Sequence, residues 1–326
     1  MLALVEITPW HWVGFIVCVL IFLALDLGLF HRKAHAVSFK EALGWTALWA
    51  TVALVFGLGL AFFRGKQEAL EFSTGYFIEL SLSMDNVFVI VLIFTHFRVP
   101  TEYQHRLLFW GILGALVMRG LMIGVGAALI SRFDWLLYAL GFLLLIAGAK
   151  MLFSKDETDP EKTLVVRVAR RLLPISKEFD GARFITTIDG RKFLTPLFLV
   201  LLLVETSDLI FAVDSIPAIF GVTRKAFIVF TSNVFAILGL RSLYFVLAGA
   251  IKLFRYLNIG LSIILVFIGV KMLIDPHDNP PHWYQYDIPD GAALITVLII
   301  IAVSILASLV VARRKQENGK DGTTPP

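Results

Sequence analysis

Two stretches of this sequence put carboxylates where an apolar chain tolerates them least: ELSLSMDNVFV, Glu79 to Val89, and LLVETSDLIFAVDSIPAIF, Leu202 to Phe220. Glu79, Asp85, Glu205, Asp208 and Asp214 interrupt runs that otherwise read as hydrocarbon, and Asp26 adds a sixth acid near the end of the first apolar segment. An Asp at the centre of a membrane-inserted helix costs about 2.5 to 3.5 kcal/mol, whereas each Leu, Ile, Val or Phe returns only about 0.3 to 0.6. Acids in that setting face the bundle interior, find a partner, and are functional-site candidates by default. The candidate charge partners are Arg119 and Arg241. Two guanidiniums cannot neutralise six acids, so about four carboxylates must be protonated, hydrated or bound to a cation.

Asp85 and Asp208 fall near the midplane of their segments, and Glu205, three residues before Asp208, lies on the same helix face. Glu79 and Asp214 each stand six residues from a midplane acid, about 9 Å along a helix axis. Asn86 and Asn233 are further oxygen donors or, equally, interhelical hydrogen-bond groups. Pro217 leaves the carbonyl of Val213 without its helical partner beside Asp214, which makes it a ligand or a plain kink. All seven histidines fall at segment ends or in loops, and the one cysteine, Cys18, forms no intrachain disulfide. Oxygen-rich sites of this kind suit Mn²⁺, Mg²⁺ or Ca²⁺ over zinc or copper. Met84 could add a soft sulfur, although a methionine in an apolar helix is more often packing.

The elements that must hold these groups follow from composition. Of 326 residues 58% are hydrophobic and the mean hydropathy is +0.82, above the roughly 45–50% apolar content of soluble domains. Repeated runs of about 20 apolar residues predict an all-α polytopic membrane protein and not a barrel. Nine transmembrane helices are expected at about 9–30, 40–62, 71–97, 105–130, 134–153, 195–220, 226–248, 256–274 and 290–312. The first has neither a basic start nor a small-residue cleavage site and reads as a retained span. The net charge of +4 does not indicate nucleic acid, because the basic residues sit mostly in loops. One alternate set of loops carries twenty Lys and Arg and the other five. By the positive-inside rule the N-terminus faces out and the C-terminus lies in the cytoplasm.

An internal repeat is visible in the charges. Asp85, Arg119 and Lys150 are spaced like Asp208, Arg241 and Lys271, and DNVFVI, LVMRGLM and FLLLIAGAKMLF match DLIFAV, ILGLRSLYF and IILVFIGVKMLI. Three helices per unit make the two units inverted, an architecture of secondary transporters that bind their cargo where the repeats meet. The chain then divides into two N-terminal helices (1–70), a first repeat (71–153), a cytoplasmic loop (154–193), a second, inverted repeat (194–275), and an outer loop with a last helix and tail (276–326). Within the loop, TLVVRVARRLLP reads as an interfacial amphipathic helix and ARFITTIDGRKFL as a hairpin turning at Asp-Gly. The tail ARRKQENGKDGTTPP reads as a polar, disordered end.

The motifs ELSLSMDNVFV and VETSDLIFAVDSIPAIF, with DWLLYALGFLLLIAGAKML and TSNVFAILGLRSLYFVLAG, resemble the TerC family of bacterial integral membrane proteins, in its Alx type, over nearly the whole chain to about residue 275. The resemblance implies export of excess Mn²⁺ from the cytoplasm across the bacterial plasma (inner) membrane. It carries the family's intramembrane acids onto Glu79, Asp85 with Asn86, Glu205, Asp208 and Asp214. The expectation is a secondary transporter, not an enzyme, with no permanently bound cofactor. Mn²⁺ would be its cargo and protons its counter-ion; oligomeric state is not legible. No GxxxxGK[ST] loop suggests ATP drive. The alternatives are a membrane scaffold for a metal or tellurite stress response, a calcium or magnesium transporter, and, more distantly, an intramembrane protease, which the absence of GxGD disfavours.

Overall fold

The computed structural model describes residues 7–28, 38–153, 164–176, 178–248, 257–275 and 285–320. The chain runs α1 (Pro9–Gly28), α2 (Phe39–Phe63), α3 (Lys66–His96), α4 (Thr101–Ile130), α5 (Trp135–Phe153), α6 (Leu164–Leu172), β1 (Ile185–Ile188), β2 (Arg191–Leu194), α7 (Pro196–Phe220), α8 (Ala226–Ala248), α9 (Leu257–Ile274) and α10 (Asp290–Lys320). Local chemistry sets several starts. Ser38 caps α2 by accepting from the Glu41 amide. Pro100 precedes α4, and Pro196 opens α7, where its missing N–H costs nothing. α2, α3, α4, α5, α7, α8 and α10 are each long and apolar enough to cross a membrane, while α1 and α9 are shorter apolar helices.

Three boundaries differ from expectation. α3 begins at Lys66 and α4 at Thr101, several residues earlier than hydropathy suggests, because charged residues continue a helix as readily as apolar ones. α10 runs to Lys320 instead of ending near 312. Ala, Arg, Lys, Gln and Glu in that tail are good helix formers, so polarity there did not imply disorder.

α8 forms the centre of the bundle and is buried along almost its entire length. α3 packs along it, α2 against both, and α7 lies between α3 and α4. α5 pairs with α9 through glycines: a Cβ on Gly148 would stand 2.9 Å from the Ser262 carbonyl, and one on Gly269 would stand 2.9 Å from the Gly141 carbonyl. Small residues at such a seam let two membrane helices approach to backbone contact. The outward faces of α2, α4, α5 and α10 expose Leu54, Phe62, Leu121, Phe142, Ile295 and Leu306, an apolar belt far beyond that of a water-soluble monomer.

The segment before α7 is ordered as expected. α6 buries Val166 and Ala169 while exposing Arg167. β1 and β2 pair antiparallel, with Ile188 opposite Arg191. The turn between them places Asp189 at φ 51° and Gly190 at φ 76°, the left-handed pair that a two-residue hairpin turn requires. Leu194 N donates to the Pro174 carbonyl (2.8 Å) and Thr195 N to that of Phe184 (2.9 Å). The buried Thr195 hydroxyl donates to the Arg183 carbonyl (2.6 Å), and Arg106 of α4 stacks over Phe184.

Candidate functional site

Arg119, at the middle of α4, is 1% exposed and organises the site. Its Nη1 donates to Glu79 Oε1 of α3 and, at 3.4 Å, to Ser215 Oγ of α7. Its Nη2 and Nε form a fork on Asp208, at 2.8 Å to Oδ1 and 3.1 Å to Oδ2. Asn86 Nδ2 completes the group with a 3.2 Å bond to Asp208 Oδ1. Helical spacing explains who takes part. Glu79, Ser83 and Asn86 fall at i, i+4 and i+7 on one face of α3, and Asp208 and Ser215 share a face of α7 in the same way. Asp208 is the central residue of α7, so the cluster sits about halfway along the bundle.

The charges do not cancel, since two carboxylates meet one guanidinium. A buried pair of this sort is held by good geometry and extra hydrogen bonds, and removing one partner leaves a costly unpaired charge. Several buried oxygens of the cluster have no partner among the described residues: Glu79 Oε2, Ser83 Oγ and Asn86 Oδ1. Both polar atoms of Asn233, on α8, are likewise buried without a partner among the described residues.

The other predicted residues lie elsewhere. Asp85 is one residue from Asn86, hence about 100° around the helix, and has no ion-pair or hydrogen-bond partner among the described residues. Glu205 turns toward α4 beside Gly114, where any Cβ would overlap its carboxyl group. Asp214 lies within the field of Lys150 on α5. α7 continues as a helix through Pro217. The side chain of Asp26 lies outside the described residues. Among the described residues no three His, Cys, Asp or Glu side chains are grouped so as to hold a metal ion. Glu79, Asp85, Glu205, Asp208 and Asp214 therefore do not form one basin in this conformation, and Arg119 stands between Glu79 and Asp208.

Arg241 on α8 places its Nη2 3.0 Å from His105 Nδ1. His105 is at the start of α4, as a span-end histidine should be, but it is buried and packs against Phe245. Sequence reasoning passed over Ser83 and Ser215, because serines in apolar helices are too common to single out. It also missed a network joining the start of α3 to the α7–α8 connection, in which Glu71 accepts from Thr223 Oγ1 (2.7 Å) and Lys225 Nζ (3.1 Å), while Glu68 pairs with Arg64 (2.8 Å) and Lys225 (3.4 Å). The signal was present as Glu68 and Glu71 one turn apart, but the expected helix began only at 71.

Of two cavities, one adjoins the cluster and the other lies at an end of the bundle. One of about 20 Å³, room for a single water, touches Asn86 and Asp208 and extends along Leu108, Gly111 and Ile112 toward the start of α4. A larger one of about 270 Å³ lies at the opposite end of α7, among Glu71, Lys225, Lys271, Asp275, Asp287 and Asp290.

Comparison with known proteins agrees with this picture of a helical membrane protein. The chain is 52% identical over 316 residues to the membrane protein STKORF319 of Myxococcus xanthus, covering 96% of each chain. It is 47% identical to Alx of Salmonella typhi and 46% identical to Alx of Escherichia coli K12, in each case covering 90% of this chain and 94% of the relative. No solved structure matches it. Residues 64–316 match the model of the integral membrane protein TerC family, and the chain belongs to that family.

Proposed function

We propose that this protein is a secondary transporter that exports Mn²⁺ from the bacterial cytoplasm across the plasma membrane, in exchange for protons. The observation that carries the reading is the buried, mid-helix cluster of Glu79, Asp208 and Asn86, with two negative charges against one guanidinium and buried oxygens to spare. Intramembrane acids that outnumber their partners mark ion pathways. Asp85, Glu205 and Asp214, outside the cluster, are proposed as the acids that join it or relay protons as the helices move. The reading assigns no enzymatic activity and no resident cofactor: Mn²⁺ is cargo, with Ca²⁺ and Mg²⁺ as the rival ions, since all three accept oxygen ligands.

Moving a divalent ion outward against an inside-negative potential costs about 4.6 kcal/mol per 100 mV, twice the single-charge figure, so a coupled ion is required. The proposed machinery is a pair of inverted repeats, α3–α5 and α7–α9, rocking about the site. In support, the helix packing keeps its pattern when the units are exchanged: α3 meets α7, α4 meets α8, α5 meets α9, and α3 with α8 mirrors α4 with α7. The small cavity would be the cytoplasmic approach and the acidic one the outer vestibule, about 18 Å along α7 from Asp208. That assignment follows the orientation with the N-terminus outside and the C-terminus inside.

The Alx relatives carry the description of a membrane-bound redox modulator. This chain has one cysteine, on the exposed face of α1, so a redox role here would run through the redox-active ion it moves and not through dithiol exchange. The ordered hairpin and α6 favour a second reading, a scaffold for stress-response proteins. Flux in proteoliposomes under an imposed proton gradient, comparing Mn²⁺, Ca²⁺ and Mg²⁺, decides. Mn²⁺ movement that depends on the gradient and survives deletion of 164–193 supports the transporter, and no flux of any of the three refutes it.

A further inference from the structure

We propose that Arg119 is a tethered stand-in for the transported ion: its guanidinium fills the cation position between Glu79 and Asp208 when the carrier is empty, and cargo binds by expelling it. This rests on the metal-export reading above and adds the mechanism by which the site is held when vacant of cargo.

The geometry is that of a cation already in place. Arg119 engages Glu79 and both oxygens of Asp208 from a position 1% exposed, and it also reaches Ser215. Beside it Glu79 Oε2, Ser83 Oγ and Asn86 Oδ1 are buried without partners among the described residues, on the face of α3 that the guanidinium contacts. With the guanidinium withdrawn, Glu79, Ser83, Asn86, Asp208 and Ser215 together offer the oxygen-rich environment that a hard divalent ion takes. While it remains, Glu79 Oε1 and both oxygens of Asp208 are occupied.

Charge balance makes the two occupants exclusive. Glu79 and Asp208 carry two negative charges. Arg119 leaves the site at minus one, a divalent ion alone brings it to zero, and both together leave a buried plus one with two cations repelling at close range. The lower net charge at each step is reached by exchange, not by joint occupancy. An empty carrier is then neutralised largely by its own arginine, so fewer protons are needed to return it across the membrane.

The test is equilibrium Mn²⁺ binding to the purified full chain in detergent, for the parent, Arg119→Ala and Arg119→Lys, with folding checked by gel-filtration profile and thermal unfolding. If the guanidinium holds the site for all but about 1–10% of the time, its removal tightens apparent affinity about 10- to 100-fold. Arg119→Lys, a point charge that cannot fork onto Asp208, should lie between the two. Free guanidinium ion added to Arg119→Ala should restore the parent's weaker binding, and its presence during purification supports the fold should the variant need it. Variants that bind Mn²⁺ no more tightly than a binding parent overturn the proposal and leave the export reading standing. If neither the parent nor either variant binds any divalent ion, the export reading falls and takes this one with it.

Discussion

Asp85→Asn and Asp208→Asn change the same atom at two positions that the sequence repeat makes equivalent, yet they should move stability in different directions. Asp208 Oδ1 accepts from Arg119 Nη2 and Asn86 Nδ2, and its Oδ2 accepts from Arg119 Nε. An Asn in the same rotamer keeps its oxygen in the Oδ1 place, as a neutral acceptor, and turns an N–H toward Nε. One charge-assisted hydrogen bond, worth about 1.5–3 kcal/mol, is lost, and a second falls to about half its strength. The sum, about 2–4.5 kcal/mol, stays near or below the 3–5 kcal/mol estimated for breaking a whole buried pair, because Glu79 still compensates Arg119. Asp85 has no such partner among the described residues, so its neutralisation should leave stability unchanged or raise it by about 1 kcal/mol. Thermal and denaturant unfolding of both variants in one detergent provides the comparison. Equal destabilisation by the two, or a loss below about 1 kcal/mol for Asp208→Asn, would show that the Arg119 cluster does not exist as drawn.

Three further outcomes are expected. Gly148→Leu should separate α5 from α9, since the added side chain meets the Ser262 carbonyl and the Val266 amide rather than a movable group; a loss of about 1–3 kcal/mol or more in thermal unfolding is the readout, and an unchanged melting point would contradict the seam. Gly114→Ala displaces only the flexible carboxyl end of Glu205, so the fold should survive with a loss under about 1 kcal/mol while Mn²⁺ flux in proteoliposomes falls; parent-like flux would place Glu205 off the ion path. Asn233→Leu removes two buried, unpartnered polar atoms and should be neutral or stabilising by about 1 kcal/mol, measured by the same unfolding assay; strong destabilisation would mean that Asn233 has a partner.

The helices were legible because apolar runs of membrane length leave few alternatives, and the hairpin because Asp189 and Gly190 favour the left-handed conformations its turn adopts. Which acid meets which arginine was not. Periodicity fixes the angle between Asp85 and Asn86 but not which of them faces α7, since that depends on how α3 rotates as it packs on α8. Asp208 and Asp85 consequently looked alike in sequence and differ in space. Counting two arginines against six acids gave no sign that Arg119 serves both Glu79 and Asp208, or that Arg241 stands beside His105. Gly114 was unreadable for the same reason: its role appears only against Glu205 on another helix.

The hairpin that ends at Leu194 is continuous with α7, and the Thr195 hydrogen bonds leave little slack between them. A probe placed at the Asp189–Gly190 turn is therefore on a lever whose other arm carries Asp208, with Arg106 and Phe184 linking that lever to the helix of Arg119. Any tilt of α7 against α4 is magnified at the turn, outside the apolar belt, where a fluorophore or spin label can report it without touching the buried charges.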